Sequence, residues 1–237
     1  MIYASIDCET SGLQIGAEST KIVELAVVLY DSDSKSPFEF WSSWVYDQRY
    51  PPLVNEEAFK VNGLNPDHLK KFGMTPAEAF RKLNHYLSRS HAALGQNCLN
   101  FDKPLLEHEF KTYGLQLTVK PWVDIRTDLP YPTNVTSRRL GHVAVDHGVQ
   151  IIGAHKALFD AFTVVEIAKQ YCLDTALERA KSPMIRIEGK PTMDKNHEAK
   201  AQRYRWNPER KVWFKEIRQC DFQREVDAVS FKVSIGV

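Results

Sequence analysis

Five side chains in three short stretches of this chain could do chemistry together. Asp7 and Glu9 close an apolar run, in Asp7-Cys8-Glu9-Thr10. Asp102 ends the stretch Asn97-Cys98-Leu99-Asn100-Phe101-Asp102, about ninety residues later. His155 and Asp160 lie in His155-Lys156-Ala157-Leu158-Phe159-Asp160-Ala161. Four carboxylates offer hard oxygen ligands to a pair of divalent cations, and an imidazole offers a base for water. A two-metal phosphodiesterase needs that set of groups.

Each motif also has a plainer reading. Asp7 and Glu9 are two residues apart, so on a strand they share one face. They repel there unless a cation sits between them; alternatively they are two solvated acids at a strand end. Asp102 opens an amphipathic stretch, where an Asp near a helix N-terminus is ordinary. His155 could be a loop histidine and Asp160 a surface acid, although Phe159 and Phe162 make part of the surroundings of Asp160 apolar.

Certain elements must position these groups. Ile2 to Cys8 is a short apolar, β-prone run, and Lys21–Tyr30 and Phe38–Tyr46 read as two more strands, joined closely enough for an antiparallel meander. Asn55–Phe59, Pro66–Phe72 and Thr75–Ser88 read as helices, each starting near a capping residue or a proline. His91–Gln96 is expected as a buried strand and Phe101–Tyr113 as a helix stopped by Gly114. A strand over Val119–Ile125 and helices over Ser137–His147 and Ala157–Leu173 follow. Strands first, then alternating strand and helix, predict an α/β domain with a mixed sheet.

Composition sets the frame. A chain of 237 residues can bury a full core, and a net charge of +1 gives no argument for a polyanionic partner. Cys8, Cys98, Cys172 and Cys220 are scattered with no zinc spacing, and are expected as reduced core thiols. Neither a secretory leader nor an apolar stretch of membrane-spanning length is evident. The expectation is a soluble, intracellular, cytoplasmic protein that does not engage membranes.

The character changes near residue 180, which divides the chain into domains 1–180 and 181–237. From Ser182 onward Lys and Arg outnumber Asp and Glu by about four. Asn196–Lys215 interleaves basic and aromatic residues, the composition of a surface that pairs with phosphates and stacks on bases. This second domain is expected as a small α+β unit; the alternative to a nucleic-acid surface is that Trp206 and Trp213 are its core and Arg and Lys simply solvate it. The pattern E-A-K-A…R-W-N-P-E-R-K-x-W resembles a small module attached to phage and plasmid DNA-metabolism proteins.

Taken together, the three acidic motifs resemble those of the DEDDh branch of the DnaQ-like 3′→5′ exonucleases, over roughly residues 1 to 175. The D-x-E-T start, N-x-x-x-F-D and H-x-A-x-x-D-A occur in the family's order, with Gly12-Leu13 and Val61-Asn62-Gly63 as further similarities. A histidine five before the last Asp selects the histidine branch. The resemblance implies an RNase H-like mixed central sheet flanked by helices. It implies two Mg²⁺ or Mn²⁺ ions, the first held by Asp7, Glu9 and Asp160, the second by Asp7 with Asp102 acting directly or through water. His155 would take the proton of the attacking water. Thr10, through its backbone, and Asn97 would contact the terminal nucleotide, and Leu13 would wedge against its base. The expected product is a nucleoside 5′-monophosphate. The basic tail favours DNA over RNA as substrate, with a replication or repair protein as a further partner. The alternatives are an exoribonuclease or oligoribonuclease, and a non-catalytic nucleic-acid-binding scaffold.

Overall fold

A computed structural model describes residues 1–12, 14–16, 20–48, 60, 63–132 and 134–236. The expected helix over Asn55–Phe59, residues Val61 and Asn62, and Leu13 lie outside the described residues. The chain divides into two compact units, Met1–Leu177 and Glu178–Val237.

In the first unit, alternation along strand β1 (Ile2–Thr10) decides what lies on each face of the sheet. Ala4, Ile6 and Cys8 enter a buried apolar cluster, and Ser5, Asp7 and Glu9 point to the opposite face. Strand β2 (Ile22–Asp31) pairs antiparallel with β1, and β3 (Ser36–Trp44) antiparallel with β2. Helices α1 (Pro66–Phe72) and α2 (Pro76–Ser88) follow. Thr75 opens α2 with a capping box: its hydroxyl accepts from the Glu78 N–H, and the Glu78 carboxylate accepts from the Thr75 N–H. Strand β4 (Ala92–Gly95) runs parallel to β1, helix α3 (Asp102–Thr112) crosses, and β5 (Trp122–Asp124) runs parallel to β4. The five-stranded order is β3-β2-β1-β4-β5. Helices α4 (Ile125–Asp128), α5 (Leu140–Asp146), α6 (Ala157–Ala168) and α7 (Leu173–Ala180) complete the α/β pattern.

Helices cover both faces of the sheet. Phe80, Leu83 and Leu87 of α2 and Leu105, Leu106 and Phe110 of α3 pack into the cluster with Ile6 and Cys8. The Phe80 and Phe110 rings stack at 4.8 Å. Each such buried side chain contributes about 1.5–3 kcal/mol. On the opposite face lies α6, because Ser5 is small enough to admit it and its hydroxyl donates to the Ala161 carbonyl at 2.9 Å. Phe162 then meets Phe40 of β3, with ring centroids 5.4 Å apart.

The second unit is a four-stranded antiparallel sheet of order β7-β8-β6-β9. Its elements are β6 (Met184–Gly189), α8 (Asn196–Ala201), β7 (Arg205–Asn207), β8 (Val212–Arg218), α9 (Phe222–Asp227) and β9 (Val233–Ile235). Ile187, Ala199, Tyr204, Trp213, Ile217, Phe231 and Val233 form its core.

Four expectations need correction. The helix expected over Ser137–His147 begins only at Leu140. The helix expected over Ala157–Leu173 ends at Ala168, and α7 starts a new one at Leu173. Gln170 and Tyr171 close the last turn with bonds to carbonyls three residues back, and the Tyr171 hydroxyl meets His147 Nε2. The strand expected over Val119–Ile125 is three residues, Trp122–Asp124, because Asp124 caps α4 by accepting the Arg126 N–H. All four cysteines are free, but only Cys8 and Cys98 are core thiols; Cys172 and Cys220 are exposed. Among the described residues no helix is long and apolar enough to cross a membrane.

Candidate active site

The acids of β1 stand near its C-terminal end. Docking of α6 through Ser5 carries Asp160, in the first turn of that helix, over Glu9. One ligand atom from each of Glu9, His155 and Asp160 lies within 4.8 Å of the other two. His155 precedes α6 in a left-handed conformation, φ 62°, and its backbone N–H donates to Asp160 Oδ2 at 3.2 Å. Gly153, φ +60°, makes this loop possible: a Cβ there would stand 2.6 Å from Cδ2 of the Phe159 ring.

Asp102 approaches β1 from the α3 side. The β1–β4 ladder ends at the Ser5–Leu94 pair, so the Cys8 N–H has no strand partner on that edge. Asp102 Oδ1 accepts it at 3.1 Å, and the carboxyl is buried at the N-terminus of α3.

These carboxyls are crowded. Burial, then the charges of Asp102, Asp160 and Glu9, holds Asp7 well above the usual carboxylate range. Glu9 is pushed up to about 8 by burial and by Asp160 and Glu24, with Lys156 opposing. Asp102 is raised to about 7 by burial, against the bond from Cys8. Burial also raises Asp160, and the His155 N–H and ring lower it in part. A crowd of carboxylates that resists ionisation is stabilised by cations. Oxygen donors with one imidazole are also a donor set that divalent metals take, so the residues fit the metal ions that the family resemblance implies.

Four further residues shape the site and were not singled out from the sequence. Glu24 of β2 lies opposite Glu9 in the ladder, is buried, and accepts the Ala157 N–H at the start of α6. Asp124 is fully buried and accepts the N–H of Asn97 at 2.9 Å, of Leu99 at 3.3 Å and of Arg126 at 2.9 Å. Asp128, equally buried, accepts the Asp124 N–H at 2.9 Å. The Arg126 guanidinium donates to Asn97 Oδ1 at 2.8 Å. Acids inside apolar strand runs were the available signal, but their partners depend on register.

Asn97, φ 58°, is held by these bonds at the wall of a cleft of about 750 Å³. His155, Asp160, Arg126, Arg139 and His142 also line the cleft. Thr10 is buried at the end of β1, its hydroxyl donating to the Gly12 carbonyl; it does not line the cleft.

The chain matches the RNase_T family of exonucleases over residues 5–168. Among solved structures it is similar to E. coli exonuclease I in complex with a dT13 oligonucleotide, at 17% identity and TM-score 0.59, covering 81% of this chain and 49% of that one. It is also similar to the nuclease domain of 3′hExo, a DEDDh family member bound to rAMP, at 17% identity and TM-score 0.60, covering 73% and 92%. A 3′-exonuclease that recognises a histone mRNA stem-loop matches at 16% identity and TM-score 0.57, covering 73% and 82%. These likenesses show the RNase H-like exonuclease fold. The chain spans about half the length of the exonuclease I chains it matches. No curated protein sequence matches it.

Proposed function

The chain belongs to the RNase_T family of exonucleases, and on that footing we propose that it is a metal-dependent 3′→5′ exonuclease releasing nucleoside 5′-monophosphates from DNA. The observation that carries this reading is the convergence of Glu9, His155 and Asp160 within 4.8 Å. Asp102 stands near enough to Asp7 to hinder its ionisation.

In this reading Asp7, Glu9 and Asp160 hold one divalent cation, Mg²⁺ or Mn²⁺, and Asp7 with Asp102 holds a second. When bound, the pair supplies positive charge to the attacking and leaving oxygens of an in-line displacement. His155, exposed and with its backbone N–H tied to Asp160, takes a proton from the attacking water on its imidazole. The water oxygen bonds to phosphorus, the bond from phosphorus to the 3′ oxygen breaks, and that oxygen leaves and is protonated. Asn97 and the Thr10 backbone contact the terminal nucleotide, with Leu13 against its base. Arg126 and Arg139 on the cleft wall offer cations to the phosphates upstream.

DNA is the preferred substrate in this reading because of the basic, aromatic second unit. RNA is the alternative, and rests on the same catalytic residues. DNA as substrate fits work inside the cell beside replication or repair proteins.

A 5′-fluorescein-labelled strand tests the proposal. With Mg²⁺ a ladder of shortened labelled products is expected, and with EDTA none. Release of the labelled 5′ nucleotide first, or hydrolysis indifferent to EDTA, would overturn it. Running DNA and RNA strands side by side decides the substrate.

A further inference from the structure

The second unit carries an aromatic, lysine-rimmed groove that the exonuclease site does not use. In the β7–β8 ladder Trp206 pairs directly with Trp213, so both indoles occupy one face of the sheet. Their ring centroids are 5.7 Å apart. Trp213 belongs to the core and is fixed by donating its indole N–H to Asn196 Oδ1 at 3.0 Å. Trp206, on the edge strand, is 48% exposed. The two tryptophans thus divide the roles that the sequence left open: one builds the core, and the other is presented on it.

The groove beside them encloses about 490 Å³, and no carboxylate lines it. Lys190, Lys200 and Lys211 do line it. All three are exposed, and among the described residues none makes an ion pair. Three other basic residues of this unit contrast with them. Arg186 and Arg210 pair with Glu188, and Lys215 pairs with Glu225. Three lysines with no ion pair among the described residues therefore line the groove beside the exposed indole. Lys211 is held at the lip by the β7–β8 turn, where the Asn207 side chain accepts the N–H groups of Glu209 and Arg210, each at 3.0 Å.

We infer that this groove binds single-stranded nucleic acid, one base stacking on Trp206 while Lys190, Lys200 and Lys211 contact the flanking phosphates. A flat apolar surface exposed among cations complements an unpaired base between two phosphates. A duplex, its bases already stacked on one another, offers only its phosphates.

The test uses the full chain in EDTA, so that binding is measured without hydrolysis, by fluorescence anisotropy of a labelled dT20 strand and of a 20-base-pair duplex. Trp206→Ala should weaken dT20 binding at least fivefold and leave duplex binding unchanged, and Trp206→Phe should restore most of the loss. Lys200→Gln/Lys211→Gln should make the dependence of log affinity on log salt shallower by about 1.4 for the single strand. Circular dichroism and thermal melting verify that each variant is folded. Affinities within twofold of wild type for both variants, with an unchanged salt slope, would overturn the inference; so would an equal loss for strand and duplex on Trp206→Ala. Absence of hydrolysis by the wild-type protein in Mg²⁺ would instead sink the active-site reading and leave the groove measurement intact.

Discussion

Glu9 and Glu24 stand directly opposite one another in the β1–β2 ladder. Facing residues of an antiparallel pair bring their side chains within a few ångströms, where like charges destabilise. Glu24 is buried, and its Oε2 has no hydrogen-bond partner. Its carboxyl also receives the Ala157 N–H at the start of α6. The register of two strands thus seats a second acid behind the proposed metal ligand and ties it to the helix that carries Asp160.

Stability without metal should therefore fall as pH rises. Glu9 titrates at about 8 in the folded chain against an ordinary 4.5, and Asp102 at about 7 against 3.8. Between those limits the folded state binds more protons than the unfolded one, so raising pH favours unfolding. In EDTA the melting temperature should drop by at least about 3 °C from pH 5 to pH 8, and Mg²⁺ or Mn²⁺ should reverse the drop at pH 8. Glu24→Gln should shrink it. Calorimetry at several pH values with and without metal measures this; a melting temperature independent of both would count against the metal assignment.

Asp160→Asn should separate activity from stability. The amide oxygen can still accept the His155 N–H, but the charge is gone. Hydrolysis of the labelled strand should fall about 10²-fold or more, while the metal-free protein at pH 8 melts no lower than wild type. Activity near the wild-type rate would remove Asp160 from the chemistry.

Asp124→Ala should cost both stability and substrate affinity. Three partly buried backbone N–H groups, of Asn97, Leu99 and Arg126, would lose their acceptor. The expected loss is about 3 kcal/mol, read from the denaturant midpoint. Because Asn97 is held by this carboxylate, KM should rise more than kcat falls. A fall in kcat alone would contradict a positioning role.

Much of the frame around the site was legible in the sequence. The bounds of β1, β2, α1, α2 and α3 follow from apolar runs and from start signals such as Thr75-Pro76 and Asn65-Pro66. Asp7, Glu9, Asp102, His155 and Asp160 each had a plainer reading alone; they stood out because their three motifs occur in the order and spacing of the family they resemble. Glu24 and Asp124 did not, because an acid in a short β-prone run carries no sign of what faces it. That depends on register for Glu24 and on a loop folding back for Asp124, both non-local. The break between α6 and α7 was hidden for a similar reason. It depends on the aromatic group of Tyr131, His147 and Tyr171, residues far apart in sequence.

Gly153→Ala should disturb the site from a distance. The added methyl meets the Phe159 ring, and the positive φ disfavours any side chain. The loop carrying His155 should shift, at a cost of about 1–2 kcal/mol, with a clear loss of kcat. Adding Phe159→Ala removes the clash but not the strain, so the double variant should recover part of the stability. Full additivity of the two changes would show that the clash is absorbed elsewhere.

The left-handed turns at Asn97 and His155 also govern which substitutions these loops can accept. A β-branched or bulky residue at either position is rejected by the backbone before its chemistry is tried. A collapse of activity in His155→Val would therefore confound a missing base with a broken turn. Glycine and asparagine tolerate the conformation, so His155→Gly and His155→Asn keep the loop and delete only the imidazole. If His155 is the base, both should bind the strand like wild type while losing 10²–10⁴-fold in rate. Tolerance at these two positions is set by two filters, conformation first and catalysis second.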